Sequence, residues 1–400
     1  MNDAIFKLKG KLQHYAWGGY HFIPDLLRIK NTEHQPCAEY WLGTHHSAPS
    51  VIEEKNISLQ EWIEQSPEKI LGENVYHQFQ GLPYLFKVLD VKDMLSIQVH
   101  PTKEEAIKGF EKETAAGVLM NAPNRNYKDK NHKPEVMIAL SEFWLLHGFK
   151  SNTAIEKTLE EYVELSVFLP LFKNEGLKNL YKLFMEISQE EVDTILIPLV
   201  QKSISKKEKN AITKFNPEWW IAKLYAGKNN LKNIDRGIFS IFLFNILQLQ
   251  KGEAIFQDAG VPHAYLEGQN VELMANSDNV LRGGLTPKYV DVPELMKHIL
   301  FENKEPAFIF PEKFGSEKIY NCPVDDFSIS TITLQAGEKY YAQTTSLEIL
   351  LITEGAIIIE GMENKVFKQG DAFAIIANTE YWFIATGNTT LYKAFVPFKN

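Results

Sequence analysis

Three short segments concentrate the side chains able to hold a metal or move a proton. In MLSIQVHP, strand alternation puts Ser96, Gln98 and His100 on one face and Leu95, Ile97 and Val99 on the other. A hydroxyl, an amide and an imidazole do not line a sheet interior without something to satisfy them. Taken alone, a Gln-x-His pair more often faces solvent. In NHKPEVMIAL, Lys133 and Glu135 share a face if the strand begins there, and Val136, Ile138 and Leu140 share the other. Read in isolation, Asn131, His132 and Lys133 suit a polar turn, with Pro134 as a first strand residue. The third segment, GVPHAYLEGQNVELMANSDNVLRGGLTPKYVD, puts His263 and Tyr265 on one face and carries Glu272, Asp278, Arg282 and Lys288 close behind. Each is ordinarily a solvated charge. Their density in one stretch points to a site.

Taken together, Gln98, His100, Glu135 and His263 supply two imidazoles and two oxygen donors from three separated strands. That set suits one divalent transition ion per chain, zinc first, with manganese or iron as alternatives. The lack of thiolates argues against a closed structural zinc site.

The surrounding chain is that of a folded protein with a large core: 400 residues, 44% apolar and 23% charged, enough for two or three domains. A net charge of −9 argues against nucleic acid or an anionic membrane surface as a partner, so an anionic substrate must meet local basic residues. Cys37 and Cys322 lie far apart and read as buried free thiols. Near the N-terminus, Lys and Gln fall where a signal peptide needs an apolar core, which suggests a cytoplasmic protein. The apolar stretch from Gly237 to Leu249 is too short for a membrane span and reads as a buried element.

From Ile5 to about Lys150 the pattern is β-rich, with surface helices expected over 61–70 and 103–113. Residues 151–236 turn helical: Leu177, Leu180, Tyr181 and Phe184 form an apolar stripe, Ser188 with Glu191 matches a capping box, and Asn216 precedes Pro217. The β pattern returns over 237–306, so the helices interrupt one β domain. A second β region over 307–400 includes GDAFAIIANTEYWFIATG.

The runs QHYAWGG, LPYLFKVLDVKDMLSIQVHP, NHKPEVMIAL and GVPHAYLEGQNVELMANSDNVLRGGLTPK resemble, in order, the signature segments of type I mannose-6-phosphate isomerases. The helical insertion and the C-terminal β region match that family's layout, so the resemblance spans nearly the whole chain. It implies a mainly β double cupin with an inserted all-helical domain: a catalytic cupin from 1–150 and 237–306, helices over 151–236, and a cupin-like domain over 307–400. That last region has no histidine, and a second metal site is not expected there.

The resemblance further implies zinc on Gln98, His100, Glu135 and His263, with Ser96, Lys133, Tyr265, Glu272, Asp278, Arg282 and Lys288 contacting substrate. The implied reaction interconverts mannose 6-phosphate and fructose 6-phosphate through a zinc-stabilised enediolate. Glu272 is the preferred base, with Lys133 or a water on the metal as alternatives. Arg282 is assigned to the enediolate charge or the phosphate, assisted by Lys288 and Ser96. Gly283 stands where many relatives carry alanine, a departure expected to loosen the Arg282 loop. Two readings compete: a related isomerase of glucose 6-phosphate or free mannose, and a non-catalytic sugar-binding cupin. The oligomeric state is left open, and a monomer is compatible with the sequence.

Overall fold

The computed structural model describes residues 4–228, 230–303, 305–359 and 366–397. Its β-structure forms two sandwiches stacked on a shared core, with the helices on the far side of the first. The strands Glu39–Gly43, Tyr84–Val91, Glu135–Ala139 and His263–Ala275 lie side by side in an eleven-stranded sheet. One face of that sheet gives Tyr40, Leu42, Phe86, Val88, Val136, Ile138, Val271 and Leu273 to the shared core. There they meet Ile329, Ile349, Leu351 and Ala374 of a nine-stranded C-terminal sheet. Because both faces of the Tyr84–Val91 strand are covered, it reads as an unbroken apolar run except for Lys87 and Asp90.

The other face of the eleven-stranded sheet closes the first sandwich. The strand His263–Ala275 serves both walls: its second half pairs with Tyr84–Val91 and Glu135–Ala139, its first half with Phe143–Phe149 and Gln98–Val99. The register shifts between Tyr265 and Glu267, and Gly268 takes φ 125°. This irregularity reverses the alternation. His263 and Glu272, nine positions apart, would otherwise face opposite sides; here both point inward.

The outer face of the second wall gives Ile97, Val99, Leu146, Ala264 and Leu281 to a core with the helices Asn152–Glu161, Leu169–Glu186, Gln189–Glu208 and Pro217–Leu224. The expected apolar stripe of Leu177, Leu180, Tyr181 and Phe184 is buried there, and the Ser188–Glu191 capping box is formed. Asn216 sits at its N-cap without capping through its side chain, which instead accepts from the Thr213 backbone. Among the described residues, no helix is long and apolar enough to cross a membrane.

Several local expectations change. Residues 61–70 form two helices, Leu59–Gln65 and Pro67–Leu71, because Pro67 cannot continue the first and starts the second. The second surface helix runs Lys103–Ala115. Gly237–Leu249 is a buried helical turn, Gly237–Leu243, followed by the strand Phe244–Leu249. Cys37 is buried and Cys322 half-buried, both free. The strand Ile5–Lys9 pairs with Ala372–Ile375 of the C-terminal sheet, so the first residues of the segment 1–150 build the second sandwich rather than the first. Phe6 and Leu8 lie in the shared core and Ile5 in the interior of the second sandwich, which explains that placement.

Candidate metal centre and active site

Glu135 opens its strand with the carboxylate inside the first sandwich, where His100 and His263 converge on it. His100 Nε2 lies 3.4 Å from Glu135 Oε1, and His263 Nε2 lies 3.4 Å from Oε2. The Nδ1 atoms are 2.9 Å from the Asn279 carbonyl and 3.0 Å from the Val261 carbonyl, respectively. A carbonyl only accepts, so each Nδ1 carries a proton, and in the neutral ring each Nε2 presents a lone pair. Two lone pairs aimed at a carboxylate repel. His100 Nε2 is also buried without a hydrogen-bond partner. A cation among these three groups resolves the conflict, so the donor set fits a divalent metal.

The protonation states agree. Burial pushes the His100 imidazole down to about 4, outweighing the pull of Glu135. Burial also works to raise Glu135, but the Lys133 ammonium, 3.4 Å away, holds it well below the usual carboxylate range. Neutral imidazole beside ionised carboxylate is the state that binds metal. Gln98 is half-buried and stands opposite both His263 and Arg282 in the ladders, beside the cluster. The strand carrying it is only Gln98–Val99, so the expected longer alternation is local; Ser96 precedes it, half-buried and outside any strand.

Next to this triad is a buried ionic group. Lys87 Nζ lies 3.1 Å from Glu272 Oε2 and 3.7 Å from Glu39 Oε2, and the Tyr265 hydroxyl donates to Glu272 Oε1 at 2.8 Å. Burial raises the Glu272 carboxyl and Lys87 opposes that rise, while Glu135 and Glu39 add to it. Lys87 itself is raised: burial lowers it, and the pull of Glu272 and Glu39 prevails.

At the rim, Arg282 is half-buried and Lys288 exposed, and neither forms an ion pair among the described residues. Burial lowers both, and Arg282 further depresses Lys288. Lys128 is lowered by burial, by Arg125 and by Arg282. These cations are close enough to repel one another, the electrostatics of an anion site. Asp278 accepts from His45 Nε2 at 3.1 Å; burial would raise it, and the His45 hydrogen bond holds it low. Gly283 packs closely against the preceding strand segment: a Cβ there would lie 2.8 Å from Ile97 Cγ2.

Sequence reasoning missed Lys87, Glu39, His45, Lys128, Gln257 and Asn279. Lys87 carried a signal, a lone cation inside an apolar strand. Gln257 stands opposite Glu135, fully buried, with neither amide atom partnered. The Asn279 side chain accepts from the Lys128 and Asp129 backbones while its carbonyl orients His100. Nothing in the sequence marks it apart from the preceding Asp278.

Against known proteins, residues 5–152 match the profile of the phosphomannose isomerase type I catalytic domain. The mannose-6-phosphate isomerase of Salmonella typhimurium is 38% identical over 97% of this chain and 99% of its own. The human mannose-6-phosphate isomerase is 33% identical over 88% of each. A crystal structure of mannose 6-phosphate isomerase bound with zinc and yttrium superposes with a TM-score of 0.87 at 36% identity, covering 99% of this chain and 100% of that one. With the fold, the site and near full-length identity in agreement, the chain belongs to the type I phosphomannose isomerase family.

Proposed function

We propose that this protein is a zinc-dependent mannose-6-phosphate isomerase that interconverts mannose 6-phosphate and fructose 6-phosphate. The observation that carries the reading is the convergence of His100 Nε2 and His263 Nε2 on a buried, ionised Glu135, with Arg282 at the rim close enough to depress both Lys288 and Lys128. The two sandwiches are read as a double cupin: a catalytic domain from 1–150 and 237–306, less the strands Ile5–Lys9, Val51–Ile52 and Ile57–Ser58 that extend the C-terminal sheet, the helical insertion over 151–236, and a C-terminal domain over 307–400. We place the enzyme in the cytoplasm, where charged sugar phosphates are retained.

His100, Glu135, His263 and Gln98 would hold the ion, and zinc bound there supplies a Lewis acid for the oxygens at C1 and C2 of the open-chain sugar. Glu272 accepts the proton that moves between C2 and C1. Lys87 and Tyr265 hold its carboxylate in place, and its raised pKa brings it nearer the pH at which a base must work. Lys133, beside Glu135, is the second candidate for proton transfer. Arg282 balances the enediolate charge, and Lys288 with Lys128 takes the phosphate. Asp278, aimed by His45, and Ser96 bind sugar hydroxyls. Solved variants of the Salmonella enzyme replace a lysine, a histidine, a glutamate, a histidine and a glutamate with alanine, in that chain order. Lys87, His100, Glu135, His263 and Glu272 follow the same order, which supports these roles.

A coupled assay with mannose 6-phosphate, run before chelation, after it and after zinc is restored, tests the reading. Activity should vanish and return. Full activity in metal-free protein contradicts it, and equal rates on free mannose would favour the free-sugar isomerase instead.

A further inference from the structure

The segment that carries Arg282 and Lys288 is held from two sides. On the site side, Gly283 N donates to the Ile97 carbonyl at 2.9 Å and Ile97 N donates to the Gly284 carbonyl at 3.0 Å. On the other side stands Asp235, at the end of the helical insertion. Its Oδ1 accepts from Leu285 N at 2.9 Å and from Gly237 N at 2.7 Å, while Oδ2 accepts from Thr286 N at 2.9 Å.

The backbone between these supports is unusual. Gly284 has φ 118° and Leu285 has φ 55°, a left-handed conformation that leucine rarely adopts. Such a conformation persists only where its surroundings over-determine it. A carboxylate that accepts from two successive backbone N–H groups does this. Close packing adds to it: a Cβ on Gly284 would lie 2.5 Å from Gly237 Cα, and one on Gly237 would lie 2.6 Å from Leu285 N.

Asp235 is itself anchored. Its N–H donates to the Tyr225 hydroxyl at 3.0 Å, and the two residues before it, Asn233 and Ile234, donate to Asp193 of the Gln189–Glu208 helix at 2.8 and 2.7 Å. Two carboxylates in series thus connect a long helix of the insertion to the loop bearing the rim cations.

We propose that Asp235 is the positioning residue for Arg282 and Lys288, and that the helical insertion serves the reaction by fixing this loop through that carboxylate. Asp235 touches no substrate; it acts through the backbone of Leu285 and Thr286. The proposal rests on the isomerase reading for what the two cations bind, and on the hydrogen bonds alone for the clamp.

The test compares wild-type holoenzyme with Asp235→Asn, which keeps the shape and removes the charge, and with Asp235→Ala. Three quantities are read on each: kcat/KM for mannose 6-phosphate, the inhibition constant of inorganic phosphate, and hydrogen–deuterium exchange of the peptide over 281–288. Small misplacement of a binding group costs up to about a hundredfold. We therefore expect kcat/KM to fall and the phosphate inhibition constant to rise, each roughly ten- to a hundredfold. Exchange over 281–288 should accelerate at least about tenfold, with zinc content and exchange over 189–208 unchanged. Wild-type phosphate inhibition and loop exchange in Asp235→Asn would overturn the proposal, as would a lowered Tm with unaltered kinetics of the folded enzyme. If Asp235→Ala fails to fold, Asp235→Asn decides. A wild-type protein that does not isomerise mannose 6-phosphate would defeat the isomerase reading instead, and the exchange measurement over 281–288 would still judge the clamp.

Discussion

The two sandwiches carry the same ionic device and use it differently. In the first, Lys87 lies between Glu39 and Glu272, with Tyr265 on the latter. In the second, Lys393 Nζ lies 2.8 Å from Glu317 and 3.8 Å from Glu348, whose carboxylates accept from Tyr340 and Tyr381 at 2.6 and 2.8 Å. Each lysine sits on a strand whose alternate residues feed the shared core: Phe86 and Val88 flank one, Tyr392 and Ala394 the other. The difference lies in what remains over. The second cluster is closed on itself, with a lysine, two glutamates and two tyrosines all paired. The first has, in addition, the His100–Glu135–His263 triad and the unpartnered amides of Gln257 and Asn270. A buried polar group without a partner is costly. A surplus of such groups on one wall is therefore the physical mark of a ligand site, and a saturated set is the mark of a scaffold.

Removing the triad should have the largest effect. Glu135→Gln or His263→Ala should lose the metal and slow isomerisation about a thousandfold or more, since a Lewis acid supplies several kcal/mol. Metal analysis alongside the coupled assay checks this, and retained metal in either variant breaks the contrast.

The paired lysines sharpen it. Breaking a buried ion pair by removing one partner costs about 3–5 kcal/mol, so Lys87→Met and Lys393→Met should both destabilise by that order in denaturant unfolding. Only Lys87→Met should also reduce kcat, because only its glutamate is assigned to proton transfer. A comparable kcat loss in folded Lys393→Met would mean the second sandwich is not merely scaffold.

A smaller effect is expected from Asn279→Ala, which frees the loop whose carbonyl orients His100. Outer partners of metal ligands typically contribute about ten- to a hundredfold in affinity. Competition with a chelator should show that shift, and an unchanged affinity would remove Asn279 from the site.

The smallest concerns Lys150, half-buried, with no carboxylate at ion-pair distance among the described residues and donating to the Phe242 carbonyl at 2.8 Å. Burial lowers it from 10.5 to about 8, the reverse of Lys87 and Lys393. Between those values the unfolded chain binds the proton that the folded one has released. Stability should therefore rise with pH across that window, by at most one proton's slope, and Lys150→Met should flatten the rise. An unchanged slope in the variant would assign it to other groups.

The sequence made the inward-facing chemistry visible wherever alternation is regular. Lys133 with Glu135, and His263 with Tyr265, were paired from a period of two. It could not place His263 with Glu272, since that depends on the irregularity near Gly268. Gln257 and Lys393 are invisible for a related reason: each becomes a buried polar group only once cross-strand register fixes its neighbours, whereas Lys87 stands out as a lone cation in an apolar strand. The interior of the second sandwich has an apolar cluster of Ile332, Leu350, Phe373 and Phe383, and also the charged group around Lys393. Ile5–Lys9 looked like the start of the first domain because adjacency in sequence is the only guide before strands are paired.

One metal is expected per chain, in the first sandwich and not in the second. Anomalous diffraction at the zinc edge from crystals of the purified, active protein tests it most directly. A single peak bounded by His100, Glu135 and His263 is expected. A peak near Glu317, Glu348 and Lys393, or no peak in crystals of fully active enzyme, would contradict it.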